Sequence, residues 1–175
     1  EIPVARINLA VARLNQVTMA RTSTHYADVI VNGKPARIHL DSGCCIVCIH
    51  ARVRKQHGWT LATKSTPIRL RMANGLAPNV EGEVHGLVIR LAPGFEVPIN
   101  VVSITNLDVD YLMGRPLHES ICAITDHDRG LYHCVWNRNW AVIDGETGEV
   151  HDQRRLSKEE MLDWEYSRPP RFTGV

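Results

Sequence analysis

Apolar and polar positions alternate over short stretches from residue 25 onward, which predicts a chain of short strands. Residues 26–31 are rich in strand-forming side chains, and residues 36–40 alternate between apolar and polar. Asn32-Gly33 lies between these two stretches and predicts a tight hairpin, because both residue types accept a positive φ. Residues 44–49 form a short apolar run that we expect to be buried.

The rest of the chain continues the pattern of short strands separated by turns rich in glycine, proline and asparagine. Helices are predicted at residues 50–57, near Arg115, and at 158–166, where Ser157 and Glu160 have the spacing of a capping box. Residues 111–114 are expected to form a short apolar loop. Further strands are predicted at 68–72, 80–91, 95–104, 122–125, 131–136 and 140–143.

These elements together predict a mainly β fold, closed or sandwich-like, with one or two short helices. Residues 1–24 have mixed polarity and few turn signals, so we expect an N-terminal arm there. We expect residues 25–145 to form the folded domain. The remaining residues, 146–175, are expected to form a C-terminal extension with a short helix and a tail.

Composition narrows the possible functions. A chain of 175 residues with 44% hydrophobic and 22% charged residues is typical of one globular domain. Twenty basic against nineteen acidic residues leave a formal charge of +1, which argues against nucleic acid as a partner. No apolar run reaches the length of a membrane span, and no signal peptide is recognisable. Five cysteines, three of them within residues 44–48, favour a reducing, intracellular compartment.

The most informative feature is Asp41-Ser42-Gly43, at the end of a predicted apolar strand. A carboxylate placed there is costly to desolvate unless other groups hold it. Ser42 can donate a hydroxyl hydrogen bond, and Gly43 allows the backbone to turn tightly. Taken alone, the tripeptide is also typical of an ordinary β-turn.

The order of the flanking motifs resembles that of the retropepsins, the aspartic proteases of retroviruses and LTR retrotransposons. A hairpin precedes Asp41-Ser42-Gly43, a two-armed β segment with a glycine-bearing tip follows, and Leu112-Met113-Gly114 comes later. Met72-Ala73-Asn74-Gly75 is similar to the start of the flap in gypsy-type retrotransposon proteases. The resemblance covers roughly residues 25–125. It implies a closed β-barrel acid-protease fold, active as a homodimer, with residues 25–145 as the protease domain.

The resemblance also implies roles for individual residues. Asp41 corresponds to the catalytic carboxylate, and Ser42 and Gly43 complete its loop. Residues 71–83 correspond to the flap that closes over substrate. The residues that correspond to the substrate-binding flap tip are Met72, Ala73, Asn74 and Gly75, and those that correspond to the support beneath the active-site loop are Leu112, Met113, Gly114 and Arg115.

Three positions depart from the family pattern. Cys44 and Cys45 follow the glycine, where the family commonly has Ala and then a small or acidic residue. Retroviral members pair the arginine after the apolar-apolar-glycine motif with an Asp at the position of Cys45, so Arg115 needs a different partner. Pro116 replaces the usual Asp or Asn.

The chemistry implied by the family needs two carboxylates, one ionised and one protonated, to activate a water. The sequence holds one Asp-Ser/Thr-Gly motif, so the second Asp41 is expected from a second copy in a two-fold homodimer. No cofactor or metal is expected. The expected substrate is polypeptide, from a Gag-Pol-like polyprotein, and the expected location is the cytoplasm or virus-like particles.

Two other interpretations stay open. Cys45 and Cys48 have C-x-x-C spacing with His50 nearby, which is half of a zinc site or a redox pair. The β-branched residues between the two cysteines favour a buried strand instead. A catalytically weak or inactive retropepsin-like module for dimerisation or peptide binding also fits the sequence, because an intact Asp41 is necessary for activity and not sufficient.

Overall fold

The computed structural model describes residues 25–62 and 79–167, and within this part the chain forms a barrel and a second sheet. The barrel closes in the strand order β1-β2-β6-β3-β5-β4. The expected mainly β, closed-barrel fold is therefore confirmed. The barrel strands are β1 (His25–Val31), β2 (Lys34–Leu40), β3 (Val47–His50), β4 (Val80–Ala92), β5 (Phe95–Ile104) and β6 (Tyr111–Met113).

The hairpin between β1 and β2 is built as its sequence predicts. Asn32 and Gly33 have φ angles of 45° and 79°, and Val31 pairs with Lys34 across the turn. The alternation along β2 places Ile38 and Leu40 in the core. The strand therefore delivers the chain to residue 41 with one face against the barrel interior.

Residues 111–113 form a strand, β6, where the sequence predicts a loop. β6 pairs in parallel with β2, where His39 lies opposite Leu112, and antiparallel with β3, where Cys48 lies opposite Leu112. A three-residue segment has too little sequence to show periodicity, so its strand conformation depends on these two neighbours. The expected buried run at 44–49 is likewise a loop up to residue 46 and becomes strand β3 only at Val47.

The second sheet has four strands in the order β10-β9-β8-β7. Its side chains Tyr132, Cys134, Ala141 and Ile143 belong to the same buried apolar cluster as the barrel residues. β10 was not predicted, because five of its six residues are polar and it lies at the edge of the sheet. The strands of the sheet are β7 (Ile124–Asp126), β8 (Leu131–Trp136), β9 (Asn139–Asp144) and β10 (Val150–Arg155).

Three helices lie within the described residues, one at each predicted position: two in the expected domain and one in the expected C-terminal extension. The helices are α1 (Ala51–His57), α2 (Arg115–Ser120) and α3 (Lys158–Ser167). Gly58 ends α1 with a φ of 69°, and Pro116 lies in the first turn of α2, where its missing N–H costs nothing. The predicted capping box is present: Glu160 N donates to Ser157 Oγ, and Ser157 N donates to Glu160 Oε1, each at 3.1 Å.

The domain boundaries stay predictions. β10 pairs with β9, so the second sheet contains residues from both sides of the expected boundary at position 145. The expected arm at 1–24 and the expected strand at 68–72 lie outside the described residues. In the described part of the chain, no helix combines the length and the apolar character that crossing a membrane requires.

Candidate active site

Asp41 lies in a tight loop at the end of β2, and its residue is only 6% exposed. Its backbone N donates to Met113 O at 3.0 Å, which ties the loop to β6. Gly43 N donates to Asp41 Oδ1 at 3.0 Å, and Cys44 N donates to Asp41 O at 3.1 Å. The loop therefore fixes both the backbone and one carboxylate oxygen of Asp41.

The second carboxylate oxygen has a different environment. Asp41 Oδ2 is buried and finds no hydrogen-bond partner among residues 25–62 and 79–163. Burial raises the pKa of the Asp41 carboxyl above its ordinary value, although the backbone N–H groups of Gly43 and Cys44 act in the opposite direction. This carboxyl therefore holds a proton more readily than an exposed aspartate does, and one of its oxygens is left for another ligand.

Gly114 packs closely against the backbone of the Asp41 loop. A Cβ at this position would overlap Ile46 O and would lie 2.6 Å from Cys44 O, so a side chain cannot fit without moving backbone. Arg115 N donates to Cys44 O at 2.7 Å from the next position. Glycine is needed here for the close approach of two backbones, since its φ of −90° is accessible to any residue.

The other site residues predicted from the sequence differ in whether they are exposed, buried or outside the described part of the chain. Ser42 and Gly43 are exposed beside Asp41, whereas Leu112, Met113 and Gly114 are buried under the loop. Arg115 is exposed, and its guanidinium forms no ion pair with any residue in the described ranges. Met72, Ala73, Asn74 and Gly75 lie outside the described residues.

The cysteines near the loop differ in exposure. Cys45 is exposed, whereas Cys44 and Cys48 are fully buried, and Cys44 Sγ donates to Ile46 O at 3.1 Å. The neighbouring Cys44 thiol and burial both raise the pKa of Cys48 above its ordinary value. Over residues 25–62 and 79–163, no three His, Cys, Asp or Glu side chains are grouped so as to hold a metal ion. Cys48 lies in a buried strand as the sequence favours, whereas Cys45 lies in the exposed loop before that strand, which corrects the expectation for Cys45.

A small apolar cluster adjoins the Asp41 loop and is separate from the main core. Cys44, Cys48, Val102, Ile104 and Leu112 are its buried members. Four partly buried apolar side chains pack against it: Ile46, Val80, Leu107 and Val109. Because Cys44 and Ile46 directly follow Asp41-Ser42-Gly43 in the chain, the cluster forms an apolar wall that adjoins this loop.

Glu81 lies at the start of β4, in the last part of the segment expected to form the flap (residues 71–83). Its Oε1 accepts hydrogen bonds from Ser103 Oγ at 3.0 Å and from Arg54 Nη2 at 3.3 Å, and its Oε2 lies 3.5 Å from Lys55 Nζ. These contacts join β4 to β5 and α1. The base of the expected flap is therefore anchored on both neighbouring elements.

Sequence reasoning missed two residues behind the loop, His118 and Tyr132. His118 Nε2 lies 2.9 Å from Met113 O, and Tyr132 OH lies 2.7 Å from His118 Nδ1. Burial lowers the pKa of His118 to about 4. No local pattern predicts this contact, although the alternation along β8 is a signal that Tyr132 points inward.

Comparisons with known proteins agree with this geometry. The sequence profile of a family described as "Aspartyl protease" matches residues 27–117, more than half of the chain and including the Asp41 loop and Gly114. The chain belongs to this family, which makes it a peptide-bond hydrolase of the aspartic type. The finding confirms, at the level of family, the resemblance drawn from the sequence.

Two solved structures are similar to this chain. One is the retroviral protease-like domain of Ddi1 from Leishmania major, with 13% identity and a TM-score of 0.49, covering 65% of this chain and 90% of that one. The other is a retropepsin-like aspartic protease from Rickettsia conorii, with 22% identity and a TM-score of 0.36, covering 58% of this chain and 72% of that one. No curated protein sequence matches the chain.

Proposed function

We propose that this chain is an aspartic endopeptidase in which Asp41 is the reacting carboxylate. The observation that carries the proposal is the environment of that side chain. One carboxylate oxygen is held by Gly43 N, and the other is buried and has no partner in the described part of the chain. A group prepared in this way is suited to share a proton with a second carboxylate and to orient a water.

The proposed chemistry uses two carboxylates with one proton between them. Like charges about 3 Å apart cannot both ionise, which is a general property of aspartic proteases. The ionised member takes a proton from water, which attacks the scissile carbonyl, while the protonated member donates to the carbonyl oxygen. The peptide bond is then hydrolysed without a covalent enzyme intermediate.

The second carboxylate is proposed to be Asp41 of a second copy, in a two-fold homodimer. Two other aspartates are already engaged in turns. Asp126 Oδ1 accepts from Arg129 N at 3.1 Å, and Asp144 Oδ1 accepts from Glu146 N at 2.9 Å. Neither is followed by Ser-Gly or Thr-Gly, so a second copy is the simplest source.

Substrate is proposed to be an extended polypeptide with apolar side chains near the cut, such as a Gag-Pol-like polyprotein. The apolar wall of Ile46, Val80, Leu107 and Val109 supports this choice, because these side chains are only partly buried and their cluster adjoins the Asp41 loop. The flap, residues 71–83 with Met72, Ala73, Asn74 and Gly75 at its tip, would cover the peptide. An extended peptide can bind beneath it by main-chain hydrogen bonds in the manner of an added strand.

The first experiment measures cleavage of a mixed peptide library between pH 4 and pH 7. Wild type is compared with Asp41→Asn and with Asp163→Asn, which makes the same change at an exposed residue of α3. Cleavage by wild type and Asp163→Asn, lost in Asp41→Asn, is the expected result, and inhibition by pepstatin would add support. Wild type that cleaves nothing at a concentration where it is dimeric would overturn the proposal in favour of a peptide-binding or dimerisation module.

A mixing experiment tests the dimer. Wild type at a fixed concentration is incubated with increasing amounts of Asp41→Asn, and the rate of cleavage is followed. If each dimer needs two Asp41 residues, exchange into mixed dimers lowers the rate, and an excess of Asp163→Asn does not lower it. A rate that does not fall as Asp41→Asn is added, and that stays proportional to the wild-type concentration, would contradict the shared site.

A further inference from the structure

A buried series of side-chain hydrogen bonds connects the second sheet to the Asp41 loop. Tyr132 on β8 is 1% exposed and His118 on α2 is 9% exposed, and their rings meet edge to face with centroids 5.3 Å apart. Tyr132 OH lies 2.7 Å from His118 Nδ1, and His118 Nε2 lies 2.9 Å from Met113 O. Buried polar groups without partners are costly, so the full pairing of both ring nitrogens is a specific arrangement.

The chemistry of the partners fixes the tautomer of His118. The Met113 oxygen is a carbonyl and only accepts, so Nε2 carries the hydrogen and donates it. Nδ1 is then an acceptor in the neutral imidazole, and Tyr132 OH donates to it. Burial lowers the pKa of His118 to about 4 and raises that of Tyr132, so both groups stay in these protonation states at neutral pH.

This buried series of hydrogen bonds ends on the same carbonyl group that binds the backbone of the candidate catalytic residue. Met113 O accepts from Asp41 N at 3.0 Å as well as from His118 Nε2. A carbonyl oxygen has two lone pairs, so these two donors complete its hydrogen bonding. The orientation of the peptide group between Met113 and Gly114 is thereby set from one side by His118 and from the other by the Asp41 loop.

We propose that His118 and Tyr132 are positioning residues, which act through the Met113 carbonyl to hold Asp41 in its reactive orientation. The proposal rests on the proposed role of Asp41. Neither side chain forms a hydrogen bond with the Asp41 carboxylate in the described part of the chain, so neither is proposed to touch substrate or to transfer a proton. A small displacement of a reacting group is enough to reduce a rate by one to two orders of magnitude, which gives this remote support a measurable effect.

The test compares Tyr132→Phe, His118→Leu and His118→Gln with wild type in steady-state kinetics, at equal concentrations of folded dimer. Tyr132→Phe and His118→Leu should lower kcat about tenfold, with KM changed less than about twofold, because substrate contacts are intact. His118→Gln keeps an N–H that can reach Met113 O, and it should recover most of the loss seen in His118→Leu.

Tyr111→Phe is the matched control. Tyr111 is 1% exposed on β6, and its hydroxyl has no hydrogen-bond partner among the described residues, so its removal breaks no such bond. It should leave kcat unchanged. The backbone amide resonance of Asp41 in a nitrogen-15 spectrum provides a second readout, and it should move in Tyr132→Phe and stay in place in Tyr111→Phe.

The possible failures are distinguishable. Full activity of Asp41→Asn would remove the proposed function, and the positioning proposal with it. If Asp41 is required while Tyr132→Phe and His118→Leu keep the wild-type kcat per folded dimer, only the positioning proposal is wrong. Equal losses of kcat in His118→Leu and His118→Gln, with the Asp41 amide resonance unmoved, would reduce the pair to a packing role and also overturn it.

Discussion

At the scale of single residues, Asp41 is placed where its charge opposes folding. Its carboxyl is buried, one oxygen has no partner in the described residues, and burial raises its pKa. When the pKa of a carboxyl is higher in the folded state than in the unfolded state, the protein becomes less stable as the pH rises from the unfolded-state pKa to the folded-state pKa. The site therefore gives up some stability to keep a carboxyl ready for reaction.

Asp41→Asn should consequently be inactive and more stable than wild type at pH 7. The amide keeps the acceptor for Gly43 N and removes a buried charge, and a gain of about 1 kcal/mol corresponds to about 2–4 °C in Tm. Below about pH 4 the aspartate is protonated in both states, so the gain should shrink there. Thermal unfolding at one protein concentration between pH 3 and pH 7 measures this, and an unchanged or lower Tm at pH 7 would contradict it.

The contribution of His118 to protein stability should depend on pH in the opposite sense to that of Asp41. Its pKa falls from 6.5 to about 4 on folding, because burial disfavours the imidazolium. Its contribution is complete above pH 6.5 and is lost as the pH falls from 6.5 to 4, with a limiting slope of about 1.4 kcal/mol per pH unit. His118→Gln should lack this part of the dependence.

Denaturant unfolding of wild type and His118→Gln between pH 4 and pH 7 measures the difference. The comparison between the two proteins is needed because burial also lowers the pKa values of His25, His39 and His133, which both proteins share. Parallel stability curves for the two proteins would show that His118 titrates normally.

The residues of the site differ in how far the sequence predicts them. Asp41 is indicated by its own neighbours, because a strand followed by Asp-Ser-Gly is a local pattern. His118 and Tyr132 are separated by 14 residues and meet only when α2 and β8 pack together. A contact of this kind leaves no signature in a single sequence, so it could be found only from the structure.

At the scale of elements, β6 is central because it connects the two strands that flank the Asp41 loop. It lies between β2 and β3, and Gly114 at its end is pressed against Cys44 and Ile46. Its conformation was predicted as a loop because its strand character comes from two neighbours and not from its own three residues. The edge strand β10 was missed for a related reason, since neither face of an exposed edge needs an apolar pattern.

Gly114→Ala should be strongly destabilising and should reduce cleavage in the protein that remains folded. A methyl group overlaps the Ile46 carbonyl and crowds the Cys44 carbonyl, both of them backbone atoms that cannot rotate away. We expect a loss of about 3 kcal/mol in the free energy of unfolding. Denaturant unfolding measures it.

Gly94→Ala is the matched control for this change. No atom lies within 4 Å of a Cβ at Gly94, and the only cost is the left-handed φ of 75°, about 1 kcal/mol. Equal losses in the two variants would show that the contact under the Asp41 loop does not matter. A larger loss in Gly114→Ala would assign the difference to that contact.

At the scale of the whole molecule, the barrel and the second sheet are joined along β1. Tyr26 N donates to Gly145 O at 3.0 Å, and Asp28 N donates to Gly148 O at 2.8 Å. Both acceptors belong to the turn between β9 and β10. The retropepsin resemblance ends near residue 125, so the position of this sheet against the barrel could not be predicted, although its strands β8 and β9 were.

The two ends of the C-terminal extension differ in what they contribute to this assembly, and two truncations separate them. None of residues 158–163 is buried, and Leu162 is 52% exposed, whereas Leu156 is 4% exposed and bonded through its backbone to Arg138.

Deleting 158–175 should therefore change Tm by less than about 2 °C and leave dimerisation and cleavage intact. Deleting 149–175 also removes β10 and Leu156 and exposes the edge of β9. The fall in Tm should therefore be several times larger than the fall caused by deleting 158–175. Calorimetry, sedimentation and peptide cleavage on the two truncated proteins check this. If the shorter deletion abolishes the dimer, the last helix belongs to the subunit interface, and the expectation is wrong.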